Sequence, residues 1–163
     1  MNWLSGLLSE KTRETLSLRW FGLTRIPLLF YIGVSVTAVS PQRMVVNIPL
    51  RRRTRNHLGS MYFGVLCAGA DCAAGALAMY LIRQQSEHIS LVFKDFQAEF
   101  LKRAEGDVNF CCSQGEEIAE LVAQAKASDE RVERQFEVVA TVPSLGEEPV
   151  ARFKLTLSLK KRP

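Results

Sequence analysis

The sequence predicts an α+β domain in which a strongly curved antiparallel sheet of about six strands wraps around one long central helix. Three observations carry this reading. Residues 61–82 form a nearly unbroken apolar run, segments on both sides of it alternate apolar and polar residues with period two, and turn residues separate those segments. With 163 residues, 47% of them hydrophobic, the chain is long enough for one real core and too short for two comfortable ones, so residues 1–163 are read as a single domain.

The N-terminal segment, residues 1–27, opens with Leu4, Leu7, Leu8, Leu16 and Trp20 at roughly helical spacing, with Glu10, Lys11, Arg13 and Glu14 between them. That pattern predicts a surface helix lying on the domain. A helix lying on a membrane is the competing reading, weakened because its polar part holds as many acids as bases. After Pro27 the period becomes two. Ile32, Val34, Val36 and Ala38 alternate with smaller or polar residues, "SPQ" turns the chain, and Met44, Val46, Ile48 and Leu50 alternate again, which predicts a hairpin.

Beyond the central run, Ile89, Leu91 and Phe93 share one phase and Phe96, Ala98 and Phe100 the other. The slip at Lys94 and Asp95 predicts a β-bulge. Gly106 and Asp107 turn into a strand with Val108, Phe110 and Cys112 on one face. Ser113 and Glu116 have the form of a capping box before a helix carrying Ile118, Leu121, Val122 and Ala125. Two strands follow, one with Phe136, Val138, Ala140 and Val142 and one with Ala151, Phe153, Leu155, Leu157 and Leu159, joined by "PSLGEEP". The terminal Lys160, Lys161 and Arg162 are read as a fraying tail.

The run from Met61 to Ile82 is long enough to cross a bilayer, but it is rich in Gly and Ala and carries Asp71 near its middle, a costly group in hydrocarbon. A helix apolar on every side also suits a sheet that encloses it, so no membrane span is expected. The net charge of +4 is local, concentrated in "RRRTR" (Arg51 to Arg55) and the terminal "KKR", which argues against a nucleic-acid-binding face. Cys67, Cys72, Cys111 and Cys112 lack the spacings of a zinc or redox site and read as reduced packing thiols. The first residues lack the features of a secretory signal, and a cytoplasmic location is expected.

The order of elements, together with "NHLGSMYFGVLCAGADCAAG", resembles the hotdog-fold superfamily of acyl-CoA thioesterases over most of the chain. The closest likeness is to the phenylacetate-type branch and an uncharacterised domain-of-unknown-function group near it. In that branch the loop before the central helix holds an Asn and then a His-Gly-Gly turn, followed in the helix by an Asp and small residues. Here Asn56 matches the Asn, Tyr62-Phe63-Gly64 stands where His-Gly-Gly would be, and Asp71 to Gly75 matches the Asp stretch. Tyr62 therefore replaces the His, and Phe63 the first Gly.

The resemblance implies that backbone N–H groups around Gly64, at the positive end of the helix dipole, hold the oxyanion of a thioester under attack. Asp71 would act as general base on water or as nucleophile. It further implies a homodimer, or a dimer of dimers, with the site at the subunit interface, and an acyl-CoA thioester as substrate with no other cofactor and no metal. Tyr62 is a candidate to hydrogen-bond the thioester. Asn56, Gly59, Ser60, Met61 and Phe63 are candidate substrate contacts, with helix capping the alternative for Asn56 and Ser60. Arg53 and Arg55, in the same loop as Arg51 and Arg52, are candidates to hold the phosphates of coenzyme A. His57 lies near this loop but at the wrong offset from Asp71 to replace the missing His, and His88 has no evident partner. The alternative function is a non-catalytic hotdog dimer that binds an acyl-CoA or lipid-like ligand.

Overall fold

The computed structural model describes residues 9–85 and 88–162. Along them run α1 (Glu10–Arg25), α2 (Pro27–Ile32), β1 (Ser35–Val39), β2 (Met44–Ile48), α3 (Phe63–Gln84), β3 (Ile89–Phe100), β4 (Val108–Cys112), α4 (Gly115–Ala127), β5 (Val132–Thr141) and β6 (Pro149–Lys161). The strands form one antiparallel sheet in the order β1-β2-β4-β5-β6-β3.

The central helix α3 sits in the hollow of this sheet. Ala70, Ala73, Ala74, Leu77 and Ala78 are fully buried along it, and the inward phases of β4, β5 and β6 supply Phe110, Phe136, Phe153, Leu155 and Leu157 against them. Small helix residues let aromatic rings approach the backbone. A Cβ on Gly69 would lie 2.4 Å from the Phe110 ring, so that ring occupies space only a glycine leaves open. By length and composition α3 could span a bilayer, and 67% of its most apolar stretch is buried inside the domain. The helix α4 packs with Ile118, Leu121, Val122 and Ala125 inward, as its spacing predicts.

Strand β3 pairs with β6 on one side and forms the edge of the sheet on the other. Its register slips between Phe93 and Phe96, the bulge expected at Lys94 and Asp95, which keeps Phe96, Ala98 and Phe100 on the face that Leu91 and Phe93 occupy before it.

Four local expectations need correction. Leu4, Leu7 and Leu8 lie outside the described residues. The helix α1 begins at Glu10, capped by Ser9, whose Oγ accepts from the Thr12 N–H at 3.3 Å, and it continues past Trp20 to Arg25. The first strand does not begin at Ile32, because Pro27 is compatible with the first turn of a helix and Gly33, at φ 75°, ends that helix in the left-handed region; Pro27–Ile32 is therefore α2. The Ser113 and Glu116 capping box does not form. The residue before α4 is Gln114, whose Oε1 accepts instead from the Glu137 N–H at 2.6 Å, so the helix start is tied to β5. The basic tail does not fray, since Lys160 and Lys161 pair with β3 and the Arg162 N–H donates to the His88 carbonyl at 2.7 Å.

Replacing Gly69 with Val should lower stability by about 2 kcal/mol or more, because the Phe110 ring has no free space to move into. Thermal and urea denaturation of the variant measure the loss.

Candidate functional site

Two turns of α3 separate the groups that the sequence singled out on it. Gly64 and Asp71 are seven residues apart, which places them on one face of the helix but about 10 Å apart along its axis. Around each lies a different cavity.

Asp71 opens on a cavity of about 380 Å³ bounded by Leu18, Phe21, Ile26 and Leu29 of the N-terminal helices, Gly75 and Met79 of α3, and Leu91 and Phe93 of β3. The walls are mostly apolar, with Arg162 also lining the cavity, and no described residue hydrogen-bonds or ion-pairs with the carboxylate. Burial therefore pushes the Asp71 carboxyl up from its ordinary 3.8 to about 6, into the range where a carboxylate works as a base near neutral pH.

The start of α3 lies against the second cavity, about 410 Å³, which is lined by Asn56, His57, Ser60, Met61, Tyr62, Phe63 and Leu66 and closed by Phe100 to Ala104. Asn56 and Ser60 do not cap α3. The Asn56 Nδ2 donates to Ser60 Oγ at 3.1 Å, its N–H donates to the Ser60 carbonyl at 2.8 Å, and its Oδ1 accepts from the Leu58 N–H, so these residues close a small loop on themselves. Gly59 turns that loop at φ 84°, and Met61 ties it to the β3–β4 connection through the Ala104 carbonyl.

The residue before α3 is Tyr62, with no side-chain cap, and the N–H groups of Phe63 and Gly64 have no hydrogen-bond partner among the described residues. They are the free positive end of a helix dipole, as an oxyanion site requires. The Tyr62 ring lies over Gly64, where a Cβ would stand 2.6 Å from it, and it meets Phe63 edge-on at 4.9 Å. Phe63 in turn contacts Phe100, and Phe100 contacts Phe153.

Of the arginines, Arg53 lies over the Tyr31 ring at 5.6 Å, and Arg55 is exposed in a bridge to Met61. The sequence reading missed Thr54, which is buried. Its Oγ1 donates to the Pro49 carbonyl at 2.7 Å and its carbonyl accepts from the Tyr62 N–H, so it fastens the basic loop to the start of α3. A lone Thr among four Arg gives no periodic signal. Also missed was the contribution of Leu18, Phe21, Ile26 and Leu29 to the Asp71 cavity, because nothing in a linear pattern says that α1 and α2 return over α3.

Burial raises the Cys67 thiol. It raises Cys112 to about 11, and it holds Cys72, beside the Asp71 carboxylate, well above the ordinary thiol range, so these three are poor nucleophiles. Among the described residues no three His, Cys, Asp or Glu side chains gather in one place.

A six-stranded antiparallel sheet wrapped on a central helix defines the hotdog fold, and solved structures bear this out. A protein of unknown function from Chlorobaculum tepidum superposes with a TM-score of 0.79 at 13% identity, covering 93% of this chain and 97% of its own. A Pseudomonas aeruginosa protein of unknown function, described as a probable thioesterase, gives 0.73 at 22% identity over 91% and 96%. A thioesterase from Haemophilus influenzae gives 0.69 at 15% identity over 90% of each chain. At these identities the likeness is one of fold. The family is set by sequence: residues 15–159 match the domain of unknown function DUF4442, and the chain belongs to that family. No curated protein matches it.

The raised Asp71 carboxyl makes a stability prediction. Below about pH 4 both folded and unfolded chains hold this proton. Between about 4 and 6 the unfolded chain releases it first, so folding is progressively disfavoured as pH rises, and above about 6 the full cost is present. Asp71→Asn should therefore be more stable than the natural protein at pH 7.5, by roughly 1–3 kcal/mol, with the gap closing toward pH 4. Urea melts across that range test it.

Proposed function

We propose that the protein hydrolyses acyl-CoA-type thioesters carrying a hydrophobic acyl group, as a cytoplasmic homodimer or a dimer of such dimers. The observation that carries this reading is Asp71, an unpaired carboxylate raised to about 6 in the wall of an apolar cavity. Asp71 takes a proton from water as the oxygen adds to the thioester carbonyl. The resulting oxyanion is held by main-chain N–H groups at the start of α3. Collapse breaks the C–S bond, and the thiolate takes up the proton, leaving a carboxylic acid and a free thiol. Tyr62, Phe63 and the Asn56 to Met61 loop contact the substrate beside those N–H groups, and Arg53 and Arg55 pair with coenzyme A phosphates.

The separation of about 10 Å along α3 supports the dimer, because one carbonyl cannot touch both Asp71 and the Gly64 N–H of the same helix. A second copy brings its own helix start to this subunit's Asp71. The edge strand β3 is the natural seam: its outer backbone groups have no strand partner, and Val92 and Phe100 are 49% and 47% exposed on it. Antiparallel pairing of β3 with its twofold copy continues the sheet across both subunits and covers the aromatic group of Phe63, Phe96 and Phe100.

One observation favours the second reading, a dimer that binds an acyl-CoA or lipid-like ligand without turnover. The rings of Tyr62 and Phe63 crowd the helix start where His and Gly would stand.

Release of free thiol from a panel of acyl-CoA esters separates the two readings. Turnover is expected, with Asp71→Ala losing at least about a hundredfold. The activity should rise with pH through about 6 and level off above it, since the base must be ionised. Thermal stabilisation by acyl-CoA with no thiol released would establish the second reading instead. Sedimentation should show a dimer, and Phe96→Glu with Phe100→Glu should convert it to a monomer.

A further inference from the structure

The helices α1 and α2 are apolar on two opposite sides. Leu18 and Phe21 face the core, and Gly22 lets α2 pack closely, with the Phe30 backbone 2.8 Å from where a Cβ would stand. On the outer side Leu16, Trp20 and Leu23 form a stripe at helical spacing, and Ile26, Leu28, Phe30 and Tyr31 continue the exposed apolar surface through α2. Trp20 is 68% exposed. Seven large apolar side chains on two adjoining helices exceed the scattered exposure ordinary on a surface.

The charges around this patch are of one sign. Helix α1 holds two acids, Glu10 and Glu14, and four bases, Lys11, Arg13, Arg19 and Arg25, and the fold engages both acids with α3: Glu10 accepts from the Tyr80 hydroxyl at 2.9 Å and Glu14 pairs with Arg83. Arg13 keeps only a 3.9 Å contact to Glu10. Lys11 and Arg25 are exposed and have no ion pair among the described residues, and Arg19 spends its Nε on the Val34 carbonyl. The basic loop adjoins the same face, because Arg53 lies over Tyr31 of α2 and leaves Arg51 and Arg52 exposed beside it.

We propose that the outer face of α1 and α2 docks on an anionic phospholipid bilayer. An apolar stripe with Trp and Tyr, rimmed by unpaired Arg and Lys, matches the acyl boundary and phosphate layer of such a surface. A second copy of the chain fits poorly. In a twofold contact the patch meets itself, which would bring one basic rim toward another while the acids remain engaged with α3. The inference does not depend on the thioesterase reading.

The test is flotation of the full-length protein with vesicles of phosphatidylcholine alone and with about 30 mol % phosphatidylglycerol. Binding should be at least about tenfold stronger to the anionic vesicles and should fall in about 0.5 M salt. Leu16→Ser with Trp20→Ser, and separately Arg19→Glu with Arg25→Glu, should each weaken it about tenfold or more. In the charge-reversal pair Arg25 is exposed and Arg19 gives up only its hydrogen bond to the Val34 carbonyl, so this pair, with its thermal melt compared to the natural protein's, serves if the apolar pair fails to fold. Trp3 and Trp20 are the two tryptophans, so in a Trp3→Phe background the emission of Trp20 should shift to the blue on anionic vesicles. Absence of binding to anionic vesicles, or binding that both variant pairs retain, overturns the proposal. So does a smaller assembly in sedimentation for the Leu16 and Trp20 variant, since the face would then join copies of the chain.

Discussion

The structure depends on one constraint: a 22-residue helix with almost no polar side must be enclosed. A flat sheet could cover one face of α3 only. Curvature lets β4, β5 and β6 present Phe110, Phe136 and Phe153 around it, while α4 and the N-terminal helices close what the sheet leaves open. Close enclosure needs small residues on the helix, so the Gly and Ala content that could be taken for a helix-packing stripe is the imprint of the rings pressed on it. Phe110 against Gly69 is the tightest of these contacts.

Asp71 is the exception to that apolarity, and its position explains its chemistry. It lies where α3 faces both the edge strand β3 and the N-terminal helices, which stand off far enough to leave a cavity. The space is large enough to spare the carboxylate full burial and apolar enough to deny it a partner, and both conditions are needed to raise its proton affinity without abolishing ionisation at neutral pH. Arg162 also lines that cavity without pairing with the carboxylate, so desolvation sets its proton affinity. In the proposed reaction the free N–H groups two turns earlier are the complementary half of the chemistry, and the length of the helix itself keeps the halves apart within one subunit.

What was legible in the sequence follows from which faces are buried. The strands β4 and β5 and most of β6 bury one face, so their alternation is strong, and even the bulge in β3 shows as a change of phase at Lys94 and Asp95. The helix α2 was not legible, because Pro27–Ile32 is apolar on both its core and its outer side and carries no period of its own. The Ser113 capping box failed because Gln114 has a tertiary partner in β5, which local pattern cannot weigh. Of the candidate site residues, Asp71 and Gly64 stand where the helix pattern puts them. The loop from Asn56 to Met61 surrounds a separate cavity, since its hydrogen bonds close on themselves and on Ala104. Distance in space between two groups on one helix is readable from sequence; the return of α1 and α2 over Asp71 is not.

That return joins the two surfaces of the molecule that matter most. Leu18, Phe21, Ile26 and Leu29 wall the Asp71 cavity from beneath, while Leu16, Trp20 and Leu23 look outward from the same helix. One helix diameter, about 10 Å, is therefore all that separates the cavity from whatever lies on the outer face. The packing between α1 and α2 at Gly22 holds both surfaces in register, so any shift of these helices changes the exposed patch and the cavity wall together. The roof is made of two helices held by apolar packing, by the Tyr80 and Arg83 contacts to Glu10 and Glu14, and by hydrogen bonds of Thr15 and Arg19 to Val36 and Val34, with no β-ladder in it. In the proposed reaction a bulky apolar acyl group enters by displacing that wall rather than the sheet, because opening the sheet would break a run of β-ladder hydrogen bonds, whereas moving the helices breaks only the few bonds of Thr15, Arg19, Glu10 and Glu14.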